Sequence, residues 1–267
     1  LKRKFFAKCD GFVVPGISAQ AYVKQIEAST KPVFIAPNAV DNQHFSENAE
    51  FARADASRTR AKFALPPRYF LFVGRLLKSK GVLELVEAYG SLSDKLRSEL
   101  GLVFAGDGPS RTELESRSRL ISPGTVHFAG FVHRDELAGY YALADCLVFP
   151  THSDTWGLVV NEAMACGLPL ICSKIAGCAA DLVKTNGLTT PPGDVQQLAR
   201  AMEEMAKDAG VREEMSARSK QLITYYSPEL CASGIAKAAI SVCCARQGVG
   251  MNDDVVHARS PRWDSRL

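Results

Sequence analysis

The sequence predicts an α/β protein built on a doubly wound parallel sheet, and two observations carry this prediction. From Tyr69 onward, short apolar runs of strand length alternate with longer segments of helical periodicity. The apolar runs contain few polar residues, which is typical of parallel strands that helices cover on both faces. Alternation of this kind favours right-handed βαβ units, the repeating part of doubly wound domains.

The chain before Tyr69 is predicted to hold two short strands, a helix and a linker. Residues 11–15 and 33–37 are apolar and bounded by Gly or Pro, which indicates strands, with a helix predicted over 18–28 between them. Residues 46–66 are polar, rich in Ala and Arg, and only weakly periodic. We therefore expect these residues to connect two domains.

Strands and helices alternate regularly from Tyr69 to about residue 183, and further helices follow. The predicted strands are 69–73, 102–105, 126–129, 146–149 and 168–172. The helices between and after them are predicted near 80–90, 109–119, 134–143, 157–167 and 178–183, and then over 194–206, 211–225 and 228–244. From Gln247 the sequence is polar and aperiodic, so this tail is predicted to be disordered.

Composition excludes several classes of protein. A hydrophobic content of 46% over 267 residues is enough for a full α/β core. A net charge of +3 creates no strong field, so nucleic acid is not an expected partner. No apolar run approaches the ~18 residues of a transmembrane helix. No apolar segment typical of a signal peptide follows the basic start, so we expect a cytoplasmic protein. Because the first residue is Leu1 rather than Met, we expect an upstream region that this chain lacks.

The basic, aromatic start of the chain and its eight cysteines each allow two interpretations. The start, residues 1–8, could contact an anionic membrane at its inner face, or could be an ordinary helix, which we favour. The cysteines lack the paired short spacings of a zinc site, so we expect free, buried thiols and no metal.

The most informative segment, residues 151–171, follows the apolar run that ends at Phe149. A polar loop leads into a helix that is predicted to begin near Gly157 and end at Gly167. Asp154 lies just before this helix, and Glu162 lies about one turn inside it. Both carboxylates can therefore approach a ligand held at the helix start.

The start of this helix favours an anion, because free backbone N–H groups at Gly157, Leu158 and Val159 and the helix dipole both attract negative charge. Carboxylates repel a phosphate, so the natural partners of Asp154 and Glu162 are hydroxyl groups beside it. A phosphate flanked by hydroxyls describes a sugar nucleotide. The alternative is a strand, loop and helix with incidental acids on a solvated face.

A second motif follows the strand that ends at Val73. Gly74 allows the backbone to approach a ligand at the carboxyl end of the strand, where open α/β sheets bind ligands. Arg75 and Lys80 supply two cations, the usual counter-charges for a diphosphate. A basic surface turn is the alternative for this motif taken alone.

These segments resemble the group 1 (family 4) glycosyltransferases, retaining enzymes with the GT-B fold. The resemblance rests on Gly-Leu-Val leading into Glu-Ala-Met-Ala at 157–165, on Gly-Arg and Lys-Gly at 74–81, on Ala-Gly-Asp-Gly-Pro at 105–109, and on the segments 126–132 and 173–194. Asp154 stands where the family usually has Glu, which shortens the side chain by one methylene.

The resemblance covers roughly residues 10–244 and implies a domain organisation. Residues 1–45 would be the end of an amino-terminal, acceptor-side domain, and 46–66 the linker. Residues 67–226 would be a Rossmann-like domain that binds the donor. Residues 227–246 would be a helix that packs back toward the first domain, followed by a disordered tail over 247–267.

The resemblance also implies roles for single residues. Arg75 and Lys80 would hold the donor diphosphate, Glu162 the ribose hydroxyls and Asp154 the donor sugar, with catalytic roles for Arg75, Lys80 and Asp154. Two further segments are implied to line the donor cleft. Gly106 would lie on its rim, and Gly130 and Phe131 at the strand end that contacts the nucleotide base, although Phe131 could equally be a core residue.

The implied activity is transfer of a hexose from a nucleotide-diphosphate sugar to a glycan, lipid or small-molecule acceptor. The family implies retention of configuration and no catalytic metal or other cofactor. One alternative is a nucleotide-sugar-binding fragment without activity, because most of the acceptor domain would precede Leu1. A weaker alternative is a GT-B sugar-nucleotide epimerase.

Overall fold

The structure is a computed structural model that describes residues 2–26 and 31–247. The chain divides into two compact units. The first draws on Leu1–Val40 and Thr224–Leu267, and the second is the continuous segment Asp41–Ile223.

The amino-terminal part of the first unit holds two short helices and two short strands: α1 (Lys2–Phe6), β1 (Phe12–Val14), α2 (Ile17–Ile26) and β2 (Val33–Ile35). The two strands pair in parallel, with Phe12 beside Val33. The basic start of the chain is thus helical within its described residues, and Lys31 donates hydrogen bonds to two carbonyls at the end of α1. Contact with a membrane stays a prediction.

The predicted linker is largely helical. α3 (Asn42–Ala54) and α4 (Ala56–Phe63) occupy most of it, and both belong to the second unit. α3 buries Phe45, Ala49 and Ala52, which lie on one face because they are four and three residues apart. Two of these three are alanines, so the apolar stripe contrasts little with the rest of the segment. The weak periodicity of residues 46–66 reflects small side chains rather than an irregular connection.

The second unit contains the parallel sheet that the sequence predicts, and the doubly wound fold class is confirmed. Six strands pair in the order β5-β4-β3-β6-β7-β8, every pair parallel. The strands are β3 (Tyr69–Val73), β4 (Gly101–Ala105), β5 (Val126–Gly130), β6 (Cys146–Phe149), β7 (Leu170–Ser173) and β8 (Gly187–Thr190). The chain moves from β3 outward to β5 and then returns to β6, beside β3. The topological switch point therefore lies between β3 and β6.

The helices of the second unit agree with the prediction to within a few residues, with one addition. They are α5 (Val82–Gly90), α6 (Asp94–Glu99), α7 (Arg111–Ile121), α8 (Arg134–Leu143), α9 (Leu158–Ala165), α10 (Ala179–Leu182), α11 (Val195–Lys207) and α12 (Ala209–Ile223). The sequence did not predict α6 or the edge strand β8. α6 is polar except for Leu96, and β8 has the sequence Gly-Leu-Thr-Thr, so neither shows a recognisable apolar pattern.

The core lies on both faces of the central strands. Phe70 and Phe72 on one face of β3 belong to one buried cluster with Leu85 of α5 and Met202 of α11. Leu71 points to the opposite face, since successive strand residues alternate, and is also fully buried. Burial on both faces explains why β3 is apolar throughout.

One more helix, α13 (Pro228–Gln247), belongs to the first unit and packs on β1 and β2. A Cβ at Gly234 would lie 2.4 Å from the carbonyl oxygen of Ile35, so the helix approaches β2 closely there.

The helical stretch Ala209–Gln247 is long and apolar enough to cross a membrane by length and composition, contrary to the sequence-based expectation. The stretch is only weak evidence for a membrane-spanning helix, since residues 224–227 interrupt it. The predicted disordered tail lies outside the described residues apart from Gln247.

Candidate functional site

The candidate site lies at the carboxyl ends of β3 and β6, at the topological switch point. Open α/β sheets bind ligands in the crevice outside the strand ends at such a point. The loops that leave these two strands, residues 74–81 and 150–157, contain the two motifs that the sequence analysis singled out. The fold therefore brings together motifs that are about 80 residues apart in sequence.

Three of the predicted donor-binding residues are glycines that meet at this edge. The N–H of Gly74 donates to the carbonyl oxygen of Ala105 at 3.0 Å. A Cβ at Gly106 would lie 1.9 Å from the carbonyl oxygen of Gly74, so only glycine fits there. Gly106 also forms an isolated bridge with Gly130. The turns after β3, β4 and β5 are therefore packed backbone against backbone.

The loop after β3 is joined to the loop after β6. Gly81 has a φ of +70°, and a Cβ there would lie 2.1 Å from the carbonyl oxygen of Pro150. The N–H of His152 donates to the carbonyl oxygen of Ser79 at 2.9 Å. These backbone contacts hold the short 3₁₀ turn Lys78–Lys80 against the second loop. They account for the position of the Lys80 side chain.

Lys80 and Asp154 form an ion pair, with 2.5 Å between Nζ and Oδ2. The pair is largely enclosed, because the two side chains are only 24% and 17% exposed. The second oxygen of Asp154 accepts a hydrogen bond from the backbone N–H of Trp156 at 3.2 Å. Asp154 thus has a cationic partner, Lys80, that was predicted to lie in the same site.

The helix that follows, α9, begins without a side-chain cap. Gly157 precedes it with a φ of +100°, and a Cβ there would lie 2.7 Å from the ring of Phe149. Glycine is therefore required both by the backbone conformation and by the close approach of the ring. The N–H of Val160 donates to the carbonyl oxygen of Gly157 at 2.9 Å, but those of Leu158 and Val159 donate to no group among the described residues and are available to an anion.

Glu162 lies in α9 and accepts a hydrogen bond from the Tyr141 hydroxyl on Oε2 at 2.7 Å. Burial raises the pKa of Glu162 above its ordinary value, while the bond from Tyr141 and the positive charge of Arg134 act in the opposite direction. The surroundings of the two carboxylates therefore differ: Asp154 faces a cation, and the buried Glu162 faces the neutral phenol of Tyr141.

Arg75 and Phe131 are exposed at the same edge of the sheet. Within the described ranges, the Arg75 side chain forms no ion pair or hydrogen bond, so its charge is available to a ligand. Phe131 is 81% exposed, and its interpretation as a core residue is wrong. A contact between Phe131 and a nucleotide base stays a prediction.

Sequence reasoning missed three residues around this site. Tyr141 and Arg134 come from α8, where the sequence suggests only an amphipathic helix. Glu84 of α5 approaches the Nε2 atom of His152 at 3.1 Å and ties the signature loop to α5. The one signal in the sequence for this contact was that His152 lies two residues before Asp154.

Neither a metal cluster nor a disulfide is found in the part of the chain that the structure describes. No group of three or more His, Cys, Asp or Glu side chains there could hold a metal ion. All eight cysteines are free, but only four are buried: Cys146, Cys166, Cys172 and Cys178.

Comparison with known proteins shows that the chain is similar to glycosyltransferases. The family model described as "Glycosyl transferases group 1" matches residues 54–222. A putative teichuronic acid biosynthesis glycosyltransferase, TuaC of Bacillus subtilis (strain 168), is 31% identical over 168 residues, which are 63% of this chain and 40% of that protein. The 2-deoxystreptamine glucosyltransferase of Streptomyces kanamyceticus is 30% identical over 198 residues, 72% of this chain and 49% of that protein.

Two solved structures share the fold. Sucrose-phosphate synthase from Thermosynechococcus elongatus has a TM-score of 0.77 and 24% identity, over 91% of this chain and 61% of that chain. The structure of Anabaena Alr3699/HepE in complex with UDP has a TM-score of 0.73 and 20% identity, over 87% of this chain and 64% of that chain. The likeness confirms the predicted GT-B type of fold. The chain spans less than half the length of the two curated relatives.

Proposed function

Because this chain belongs to the group 1 glycosyltransferase family, we propose that it moves a hexose from a nucleotide-diphosphate sugar to a glycan, lipid or small-molecule acceptor. One observation carries the proposal: the Lys80–Asp154 ion pair lies at the switch point of the sheet, directly before the uncapped start of α9. A cation, hydrogen-bond acceptors and free N–H groups together suit a diphosphate flanked by sugar hydroxyls.

The positive groups of the site would stabilise the leaving group. Negative charge grows on the nucleoside diphosphate as the bond to the sugar breaks. Lys80, which pairs with Asp154, and the N–H groups at the start of α9 can offset this charge because they are held in place before the reaction begins. The exposed Arg75 side chain supplies a further positive charge. No metal or other cofactor is part of this proposal.

The two carboxylates would orient the donor through its hydroxyl groups. We assign the donor sugar to Asp154, which lies beside Lys80. We assign the ribose to Glu162, which lies about one turn inside α9. In this arrangement neither acid needs to exchange a proton with the reacting atoms. Retention of anomeric configuration belongs to the proposal and rests on the family alone.

The relatives support a nucleotide sugar as donor. One solved neighbour is described in complex with UDP, and another relative is described as a glucosyltransferase. We extend both descriptions to this chain as part of the proposal. The exposed ring of Phe131 is the expected contact for the base.

Substitution of the two cations tests the proposal. We expect Arg75→Ala and Lys80→Ala each to lower transfer by about a hundredfold or more, because each removes a charge that stabilises the leaving group. Transfer is measured as release of nucleoside diphosphate from UDP-, GDP- and ADP-sugars, and folding is checked by circular dichroism. Lys62→Ala is the matched control, since its ion pair with Glu136 is 59% and 44% exposed and lies outside the site. Near-normal transfer in either site variant would contradict the assigned roles.

A second candidate function is binding of the nucleotide sugar without transfer. It is favoured by the fact that the chain spans 40% and 49% of two curated glycosyltransferase relatives. Calorimetric titration with UDP, GDP and ADP separates the candidates. Binding without release of nucleoside diphosphate supports the second, and failure to bind all three nucleotides contradicts both.

A further inference from the structure

We propose that Tyr141 is a positioning residue for the donor: it holds one oxygen of Glu162 and leaves the other for the ribose. The inference rests on the proposed function and adds to it a residue outside every motif of the site. Tyr141 comes from α8, and Glu162 from α9. The position of the Glu162 carboxylate, which would bind the ribose, therefore depends on both α8 and α9.

The geometry leaves Tyr141 little freedom. Its side chain is fully buried, and its ring meets the edge of Phe45 from α3 at a centroid distance of 6.2 Å and an angle of 75°. The hydroxyl lies 2.7 Å from Oε2 of Glu162. Oε1 of Glu162 accepts no hydrogen bond from the part of the chain that the structure describes. One oxygen is thus occupied and the other is available.

The hydrogen bond also has an electrostatic consequence. Burial raises the pKa of Glu162, which favours the protonated acid, whereas the Tyr141 hydroxyl donates to the ionised form and lowers that pKa. An ionised carboxylate is the better acceptor for ribose hydroxyls, since hydrogen bonds to charged groups are the stronger ones. Tyr141 therefore both orients Glu162 and favours its binding-competent charge state.

Other charged and titratable groups near Glu162 also affect how nucleotide binding depends on pH. Arg134, also on α8, lowers the pKa of Glu162, and Cys166 lies directly after the last residue of α9. The positive charges of Arg53 on α3 and Lys220 on α12 act to lower the pKa of the Cys166 thiol. β6, which also packs on α9, carries no charged side chain. Tyr141 is the one hydroxyl that donates to the Glu162 carboxylate within the described residues.

A second tyrosine provides a matched control. The hydroxyl of Tyr69 is also buried and donates over 2.7 Å, in this case to the backbone carbonyl of Tyr140 on α8. Tyr69→Phe and Tyr141→Phe therefore each remove one buried hydroxyl bond in which a residue of α8 takes part. Only the second bond ends on Glu162.

Tyr141→Phe keeps the ring and removes the hydroxyl, so the fold is expected to persist, as checked by the melting temperature. We expect the affinity for the nucleoside diphosphate that the unmodified chain prefers among UDP, GDP and ADP to fall by about tenfold. In transfer assays the effect should appear in the donor KM more than in kcat. The loss of affinity on acidification should begin at higher pH than in the unmodified chain, because the pKa of Glu162 rises without the hydroxyl.

The comparison of variants decides the inference. Tyr69→Phe should leave affinity and its pH dependence unchanged, although it lowers stability. Glu162→Gln should weaken binding, and adding Tyr141→Phe to it should cost nothing further, because Tyr141 acts through Glu162. Ionisation of the nucleotide itself is common to every variant and cancels in the comparison.

Two results would overturn the inference while the proposed function stands. One is nucleotide binding by Tyr141→Phe with the affinity and pH dependence of the unmodified chain. The other is a full additional loss when Tyr141→Phe is combined with Glu162→Gln. Absence of nucleotide binding by the unmodified chain is a different result, since it contradicts the proposed function itself and removes the inference with it.

Discussion

The departure from the family pattern at Asp154 has a local physical explanation. One oxygen of this side chain pairs with Lys80, and the other accepts the N–H of Trp156, two residues later. An aspartate side chain is short enough to make such a turn with its own backbone, and glutamate is not suited to it. The missing methylene therefore belongs to the shape of the loop as well as to its reach toward a ligand.

Asp154→Glu separates these two contributions. We expect transfer to be tolerated or improved, because the family usually has Glu at this position. The structure adds an expected stability loss of about 1 kcal/mol from the lost bond to Trp156. Urea denaturation measures the loss, and donor turnover measures the tolerance. Unchanged stability would show that the turn at Trp156 does not depend on the shorter acid, and strong inactivation would show that transfer requires it.

Gly157 is expected to be intolerant of any side chain. Gly157→Ala strains a backbone with a φ of +100° and places a Cβ 2.7 Å from the Phe149 ring. Gly124→Ala is the matched control, because its φ is +79° and its Cβ would have no neighbour within 4 Å. We expect the control to lose about 1–2 kcal/mol from backbone strain and Gly157→Ala to lose about 1–3 kcal/mol more from overpacking. Equal losses in denaturant titrations would contradict the role of the ring.

At the scale of the elements, several arginines lie at the edge of the sheet opposite the site, where the helices end. In a parallel α/β sheet the helices end at the amino edge of the strands, and their last carbonyls need hydrogen-bond donors. Arg53 donates to the carbonyls of Ala142 and Cys166 at the ends of α8 and α9. Arg212 donates to that of Ala206 near the end of α11. These cations stabilise helix ends, and cations are favoured at such ends.

Asp145 contacts two arginines at this edge. Its carboxylate pairs with Arg68 at 2.6 Å and lies 3.5 Å from Arg212, and it is only 11% exposed. We expect Asp145→Ala to lower the free energy of unfolding by about 2–3 kcal/mol, since it leaves two partly buried guanidinium groups without their anion. Glu136→Ala removes an exposed ion pair with Lys62 and should change stability by less than about 0.5 kcal/mol. Thermal denaturation of both variants checks the difference.

For the whole molecule, the sequence was most informative where burial dictates composition. β3 was predicted correctly because burial on both faces makes it apolar throughout. The segment 46–66 was not predicted to be helical, because α3 buries mostly small side chains. The presence of Lys80 and Asp154 in one site was predicted from two recognisable motifs, but their direct ion pair was not predicted. Tyr141 could not be found, since a tyrosine on an amphipathic helix is ordinary in sequence and gains its role only when α8 meets α9.

The division of the chain leads to a prediction about residues 41–223. This segment is continuous, holds the whole six-stranded sheet, and contains every residue assigned to donor binding. We therefore expect residues 41–223 alone to unfold in one cooperative transition and to bind the same nucleoside diphosphate as the full chain. Lys80→Ala in this segment should keep the transition and lose the binding. A segment that folds without binding the nucleotide that the full chain binds would contradict this prediction.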